Sequence, residues 1–278
     1  MKDVNIITIN YHNKDETLVA VESIFNDLKE SSLDFTVLVV DNSQNADGIK
    51  DALADRFPKI RYIDSGSNIG FGKANNLGFR DAPAKYYFAF NSDAVIPENS
   101  RAIERMVDFM EENEKVGIVG PKLLNFDDTL QYSCYRFNRR SLLVKPFKQI
   151  NWEKKYKILN NYANELVMKD FDHNETRPVD WVLGAAMLIR HQAIEEVGWF
   201  DERYFMYLED ADWCVRMWEA GWPVYYLHCV EIKHKYGRDS AKVPGIFKAL
   251  FKNRLARIHL LSWLKYMKKW RRSFKFYE

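Results

Sequence analysis

The chain has 278 residues, 47% hydrophobic, 15% aromatic and 29% charged, which supplies a core for one large domain or two small ones and excludes a disordered or collagen-like chain. Cys134, Cys214 and Cys229 are scattered with no CxxC pair, which excludes a disulfide framework and a thiolate zinc site and fits a reducing compartment. The net charge of +2 conceals an asymmetry: Gly245 to Glu278 carries ten basic residues against one acidic, and the remainder 31 against 38.

Taken in chain order, Val4–Asn10 is a short β-branched run that predicts a buried strand. No signal peptide is expected before it, and no apolar run of membrane-spanning length appears in the sequence. Leu18, Val21, Ile24, Phe25 and Leu28 recur at helical spacing across 15–29. Residues 35–41 (FTVLVVD) predict a second buried strand, followed by a short helix and a strand at 60–63. A helix over 71–80 stands behind an Asn/Gly-rich loop. Then come a strand over 86–91 (YYFAFN), a helix near 99–112 and a strand over 116–119. Residues 126–178 are polar, aromatic and irregular, and are expected to hold excursions over a site. Order resumes with a glycine-containing strand over 181–190, a short helix over 193–197, and a helix over 208–220 stopped by Gly221 and Pro223. Residues 224–227 are strand-like. No internal repeat or low-complexity segment appears. Such alternation predicts an open, mainly parallel sheet covered on both faces, with ligands beyond the carboxyl ends of its strands.

Several segments could carry chemistry there. Asp93, in Asn91-Ser92-Asp93, can hold a divalent cation against a diphosphate, since Mg²⁺ takes only one or two protein carboxylates and completes its shell from phosphates and water. Taken alone, the same tripeptide is more often merely a turn or helix cap. Asp41 ends the second strand, where an acidic residue can accept hydrogen bonds from a base or ribose, or cap a helix. In Asn68–Gly78 (NIGFGKANNLG), Gly70 and Gly72 permit close backbone approach to a ligand, and Asn75 and Asn76 add amides. Neither GxxxxGK[ST] nor GxGxxG is present, so phosphate-loop and dehydrogenase fingerprints are absent. Glu209, Asp210 and Asp212 open a helix, where the dipole favours carboxylates whatever their role. One of them could be a general base, and Glu209 and Asp210 stand about 100° apart on the helix. His234 is a lone histidine after a strand, and such a histidine is more often structural or solvated than ligating.

Taken together and in order, these segments resemble family 2 glycosyltransferases, and within them the rhamnosyltransferase-like branch of bacterial cell-surface polysaccharide synthesis. The carrying residues are Ile9-Asn10-Tyr11, Val40-Asp41-Asn42-Ser43, Asn68 to Asn76, Asn91-Ser92-Asp93, Gly184 to Arg190 and Gly198 to Asp212. The resemblance implies a GT-A fold: a Rossmann-like, mainly parallel sheet flanked by helices, over residues 1–243. It implies that a nucleotide-diphosphate sugar, dTDP- or UDP-linked and of rhamnose type, is the donor, and that transfer inverts the anomeric centre. It implies a donor site of Asn10, Asp41, Asn68, Gly70, Lys73, Asn76, Asn91 and Ser92, with Asp41 on the base. Asp93 and His234 would hold Mg²⁺ or Mn²⁺, with Asn91 standing where the family motif has its first aspartate. Asp210 would be the catalytic base, and Trp181, Gly184 and Glu209 would lie on the acceptor side.

Residues 244–278 are expected to form a basic, aromatic helical tail. Phe247, Leu250, Phe251, Ile258, Leu261 and Leu264 stripe one side, with Trp263, Tyr266 and Trp270 among lysines and arginines. The joint aromatic and basic enrichment favours docking on an anionic membrane surface, over a packed terminal helix with a solvated basic face or a homodimer interface. The expected location is the inner face of the cell membrane, on a glycan or polyprenyl-linked acceptor. No nucleic-acid module is recognisable. The rival reading is a non-catalytic nucleotide-sugar or carbohydrate-binding protein, which would need neither Asp210 nor His234. A nucleotidyltransferase would need a glycine-rich basic loop after Asn10, which is missing.

Overall fold

The computed structural model describes residues 1–137, 157–235, 237 and 252–271. Strands β1 (Lys2–Asn10), β2 (Phe35–Asp41), β3 (Arg61–Asp64) and β4 (Ala84–Phe90) alternate with helices α1 (Lys14–Asp27), α2 (Ile49–Arg56) and α3 (Phe71–Asp81). There follow β5 (Ala94–Val95), α4 (Ala102–Glu112), β6 (Ile118–Leu124), β7 (Leu130–Gln131), β8 (Cys134–Tyr135), α5 (Lys157–Leu166), β9 (Arg177–Pro178) and β10 (Trp181–Val182). The chain continues through β11 (Ala186–Arg190), α6 (His191–Val197), α7 (Glu209–Glu219), β12 (Val224–His234) and α8 (Arg254–Trp270).

The main sheet runs β3-β2-β1-β4-β11-β6-β12-β5, with β7 added to β6 and β9 to β12. β3, β2, β1 and β4 are mutually parallel, β12 is parallel to β6, and β11 lies antiparallel between β4 and β6. This is the α/β sheet expected, and its register explains where a site can form. Asn10 pairs with Asp41, and Asp41 with Asp64, so three strands end in one row. Because β11 is antiparallel, its first residue Ala186 pairs with the last of β4, Phe90. The Gly184 segment and Asn91 therefore meet on that same edge. β12 brings His234 there too, opposite Ala94.

The expected helical stripe of α1 is buried at Leu18, Val21 and Ile24. α4 buries Ala102, Ile103, Met106, Val107 and Met110. Its first turn is capped from a distance: Asp27, at the end of α1, accepts from the N–H groups of Ala102 (2.8 Å) and Ile103 (3.0 Å), which satisfies orphan donors with a favourable charge.

Three expectations need correcting. The strand over 181–190 is two strands, because Leu183–Ala185 leaves the ladder and Gly184 turns its N–H to a side chain. The strand starting at Val224 continues to His234 across an irregularity between Leu227 and Glu231. Within 126–178 the described residues form β7, β8, α5 and β9. β7 and β8 are strands of two residues each, too short to leave a periodic signal.

Candidate active site

The row of strand ends is organised by Asp41, which is 0% exposed. Its Oδ1 accepts from Asn10 Nδ2 (2.9 Å), Ser43 N (2.9 Å) and Ser43 Oγ (2.5 Å). Its Oδ2 accepts from Asn45 N (2.5 Å) and Tyr62 Oη (2.9 Å). Burial pushes this carboxyl's pKa up, but the bonds from Ser43, Asn10 and the Asn45 backbone outweigh it and hold the pKa below its usual value. Asn10, also 0% exposed, reaches Ser43 and Asp47 as well, and accepts from Thr17. Both residues were expected to touch the nucleotide. In this structure they are enclosed, and what they order is the loop from Asn42 to Asp47.

Asp41→Asn is accordingly expected to lower the unfolding free energy at pH 7 by about 2 kcal/mol, since an amide must turn N–H against one pair of donors. The native carboxyl pKa is depressed, so its contribution is full above about pH 4 and declines as pH falls toward the native pKa. Urea melts of both proteins at pH 7 and pH 3 check this. An equal gap at the two pH values contradicts it.

The Asn42 side chain donates to the Gly70 carbonyl (3.3 Å) and accepts from Ser65 (2.9 Å), tying the Asp41 loop to the glycine loop. Asn68 Oδ1 accepts from Gly70 N (3.1 Å). Gly70 sits at φ +89°, and a β-carbon there would run into the Phe205 carbonyl oxygen, which also accepts from Phe71 N at 2.8 Å. The glycine is therefore required by both conformation and close approach. Lys73 is exposed on the first turn of α3. Asn76, expected in the donor site, has its amide engaged within the protein. It is buried, it donates to the Phe200 carbonyl and Glu202, and it accepts from Phe200 N, clamping α3 to the 199–202 segment.

Asn91-Ser92-Asp93 is held from three sides. Asn91 N donates to the Ala185 carbonyl (2.8 Å), Asn13 Nδ2 donates to Ser92 Oγ (2.7 Å), and Lys235 N donates to the Asp93 carbonyl (3.0 Å). His234 Nε2 stands 3.3 Å from both Asp93 Oδ1 and Asn91 Nδ2. Its Nδ1 lies 2.9 Å from Gln131 Oε1. With Nδ1–H donating to Gln131, the Nε2 lone pair faces Asp93, as a ligating imidazole with an outer-shell partner does. Among the described residues no group of three or more His, Cys, Asp or Glu side chains could hold a metal. The donor set of one carboxylate and one imidazole fits a divalent cation whose remaining ligands come from a diphosphate and water.

Asp210 Oδ2 accepts from Gly184 N (3.0 Å) and Oδ1 from Ala211 N (2.8 Å). A β-carbon at Gly184 would stand 3.3 Å from Asp210 Cβ and 3.6 Å from the Phe71 ring. Ala185, next to Gly184, is the residue that holds Asn91, so the aspartate corner and the Asn91–Asp93 corner share one backbone segment. Glu209 is buried, and its β-carbon would lie 3.7 Å from a β-carbon placed on Gly72 at the start of α3. Asp212 is excluded as a base: it is enclosed by Arg216, Lys269, Trp270 and Tyr204. Trp181, expected beside the acceptor, is a core residue with its ring stacked on Tyr135 at 4.3 Å. Cys134 and Cys214 are buried thiols, that of Cys134 pushed up to about 12 by burial, so neither suits nucleophilic work.

Reading the sequence missed Gln131, Asn13, Ser65, Tyr62 and Phe205. Gln131 sits outside any motif, in a strand of two residues, and Phe205, although inside the Gly198–Asp212 segment, acts through its backbone carbonyl, which no side-chain pattern records.

Residues 5–176 match glycosyl transferase family 2. The chain is 27% identical over 224 residues to an N-acetylglucosaminyl-diphospho-decaprenol L-rhamnosyltransferase of Mycobacterium tuberculosis, covering 76% of this chain and 69% of that protein. It is 23% identical over 274 residues to rhamnosyltransferase WbbL of Escherichia coli K12, covering 95% and 92%. GalNAc-T7, solved with UDP, GalNAc and Mn²⁺, superposes with a TM-score of 0.68 at 11% identity, over 99% of this chain and 49% of that one. Mannosyltransferase PcManGT of Pyrobaculum calidifontis, solved with GDP-Man and Mn²⁺, superposes with a TM-score of 0.59 at 14% identity, over 97% and 66%. These likenesses show the GT-A fold.

Proposed function

The chain belongs to glycosyl transferase family 2, with rhamnosyltransferases among its relatives, and from that premise we propose that it moves a deoxyhexose from a nucleotide-diphosphate donor to a hydroxyl of a lipid-linked or growing glycan, with inversion. The observation that carries this reading is the shared backbone segment: Ala185 holds Asn91 and Gly184 holds Asp210. A diphosphate at the Asp93–His234 corner would then present its sugar toward the Asp210 carboxylate.

In this reading the loops ordered by Asp41, Asn42 and Asn68 shape the nucleotide pocket, and Gly70 brings backbone against it. Lys73 lies on that side with its ammonium in solvent. Asp93 and His234, steadied by Gln131, would hold Mg²⁺ or Mn²⁺, and a cation there would neutralise charge on the departing diphosphate. Asp210 accepts the proton of the attacking hydroxyl as the new bond to the anomeric carbon forms and the bond to the diphosphate breaks. Gly184 keeps open the space beside that carboxylate.

A thermal-shift panel of dTDP-, UDP- and GDP-sugars, each with and without Mn²⁺, followed by donor hydrolysis, tests the proposal. Binding raises the melting temperature with the logarithm of ligand over its dissociation constant. We expect dTDP-rhamnose or a UDP-sugar to stabilise the chain more with Mn²⁺ than without, and Mn²⁺ alone to do little. Binding without any hydrolysis or transfer would favour the carbohydrate-binding alternative.

The lipid-linked acceptor in the name of the mycobacterial relative accords with docking of α8 on an anionic membrane surface at the inner face. No described helix is long and apolar enough to cross a membrane. The helix differs from the expected stripe: Tyr266 and Trp270 turn into the protein, while Leu261 (56% exposed) and Leu264 (49%) face out beside exposed Arg257 and Lys268. Phe247, Leu250 and Phe251 lie outside the described residues. Replacing Leu261 and Leu264 together with Asp is expected to reduce co-flotation with phosphatidylglycerol vesicles several-fold, from lost apolar insertion and added repulsion. Undiminished flotation would remove this face from the interaction.

A further inference from the structure

We propose that α8 is a positioning element of the active site, holding the segment before α7 so that Asp210 faces Gly184 and the Phe205 carbonyl closes on the glycine loop. The inference rests on the functional reading above for Asp210, but its structural half stands separately. Residues 201–208 contain no regular element, and α8 grips them along their length. Ser262 Oγ donates to the Met206 carbonyl (2.7 Å), and Lys265 Nζ donates to the Arg203 carbonyl (2.6 Å). The His259 ring lies 4.6 Å from that of Tyr207. Lys269 Nζ bridges Asp201 Oδ2 and Asp212 Oδ2, both at 2.8 Å, and Trp270 Nε1 donates to Asp212 Oδ1 at 2.9 Å.

The gripped segment needs holding. Tyr207 and Leu208 both have positive φ, +72° and +68°, directly before Glu209 and Asp210. Left-handed conformations at consecutive non-glycine residues are costly and persist only where the surroundings over-determine them. On its other side the same segment presents the Phe205 carbonyl to Phe71 N and the Gly70 backbone. One strained segment therefore sets both the start of α7 and the fit of the glycine loop, and α8 braces it through side-chain bonds to its backbone. Misplacing a reacting group by about 1 Å can cost on the order of a hundredfold in rate, so a brace of this kind is read in kcat rather than in donor binding. Lys269, Ser262 and Trp270 touch no reacting atom, and act through Asp212 and the 201–208 backbone.

The experiment uses the full chain with Lys269→Met, Lys269→Arg and Ser262→Ala, assayed well below their melting temperatures. Amide hydrogen exchange at 207–211 is expected to rise about tenfold or more in Lys269→Met and less in Lys269→Arg. For whichever donor the wild type hydrolyses, kcat is expected to fall about tenfold or more in Lys269→Met with donor KM changed far less, and Lys269→Arg to recover most of it. Ser262→Ala removes one hydrogen bond and no charge, so it repeats the test should Lys269→Met fail to fold. Unchanged exchange in a folded variant overturns the brace. Raised exchange with unchanged kcat overturns its positioning role. Should the wild type turn over no donor, the functional reading fails, and the exchange result alone decides whether α8 braces the segment.

Discussion

Asp210→Asn is expected to reduce transfer by about 10²–10⁴-fold, the span that general-base catalysis contributes, while leaving nucleotide-sugar binding in place. Asp210 is the carboxylate of the Glu209–Asp212 cluster that reaches the segment joined to Asn91, through its bond to Gly184 N. The amide keeps the shape and one acceptor oxygen, but its NH₂ must face either Gly184 N or Ala211 N, both of which now donate to the carboxylate. A local cost of about 1–3 kcal/mol follows from that donor–donor encounter, so kinetics belong at a temperature where both proteins are folded. The decisive pattern is kcat lost with donor KM nearly kept. A variant that binds donor and transfers at the normal rate sinks the assignment.

The sheet was legible because β1, β2 and β4 are buried β-branched or aromatic runs, and because α1 and α4 carry unbroken apolar stripes. Of the candidate site, the sequence left legible the strand ends that carry Asn10, Asp41 and Asn91, which the register aligns on one edge. Asp41, Asn10 and Asn76 share the residue types of ligand-binding groups, since carboxylates and amides serve equally to recognise a ligand or to fasten a loop. What separates the two uses is where their partners come from. Asn76 is satisfied by Phe200 and Glu202, more than 120 residues away, and no local pattern records that. Trp181 shows the same limit: the resemblance implies a place on the acceptor side, and no local pattern records that its ring stacks on Tyr135. The tail was read by composition, which gives the number of aromatics on a helix but not which face finds a partner. Trp270 turned inward, where its indole N–H meets the buried carboxylate of Asp212.

That carboxylate carries the largest expected loss of stability. Asp212 is 0% exposed, and its oxygens accept from Arg216 Nε (3.1 Å), Lys269 Nζ (2.8 Å), Trp270 Nε1 (2.9 Å) and Tyr204 Oη (3.3 Å). Asp212→Ala strands these donors around a cavity, and breaking a buried ion pair from one side typically costs about 3–5 kcal/mol. For a chain of this size that lowers the melting temperature by on the order of 10 °C, measurable by calorimetry; a drop of only a degree or two would show that the cluster is solvated and weak. Lys269→Met is expected to cost less, about 1.5–3 kcal/mol, because Arg216 still faces the carboxylate. The contrast with Asp210 follows from helix geometry. Two residues turn α7 through about 200°, so neighbouring members of one acidic motif face opposite ways, Asp210 toward Gly184 and Asp212 toward α8. Substituting the first should remove rate and spare most of the stability. Substituting the second should remove stability first, and rate only as far as the 201–208 segment relaxes.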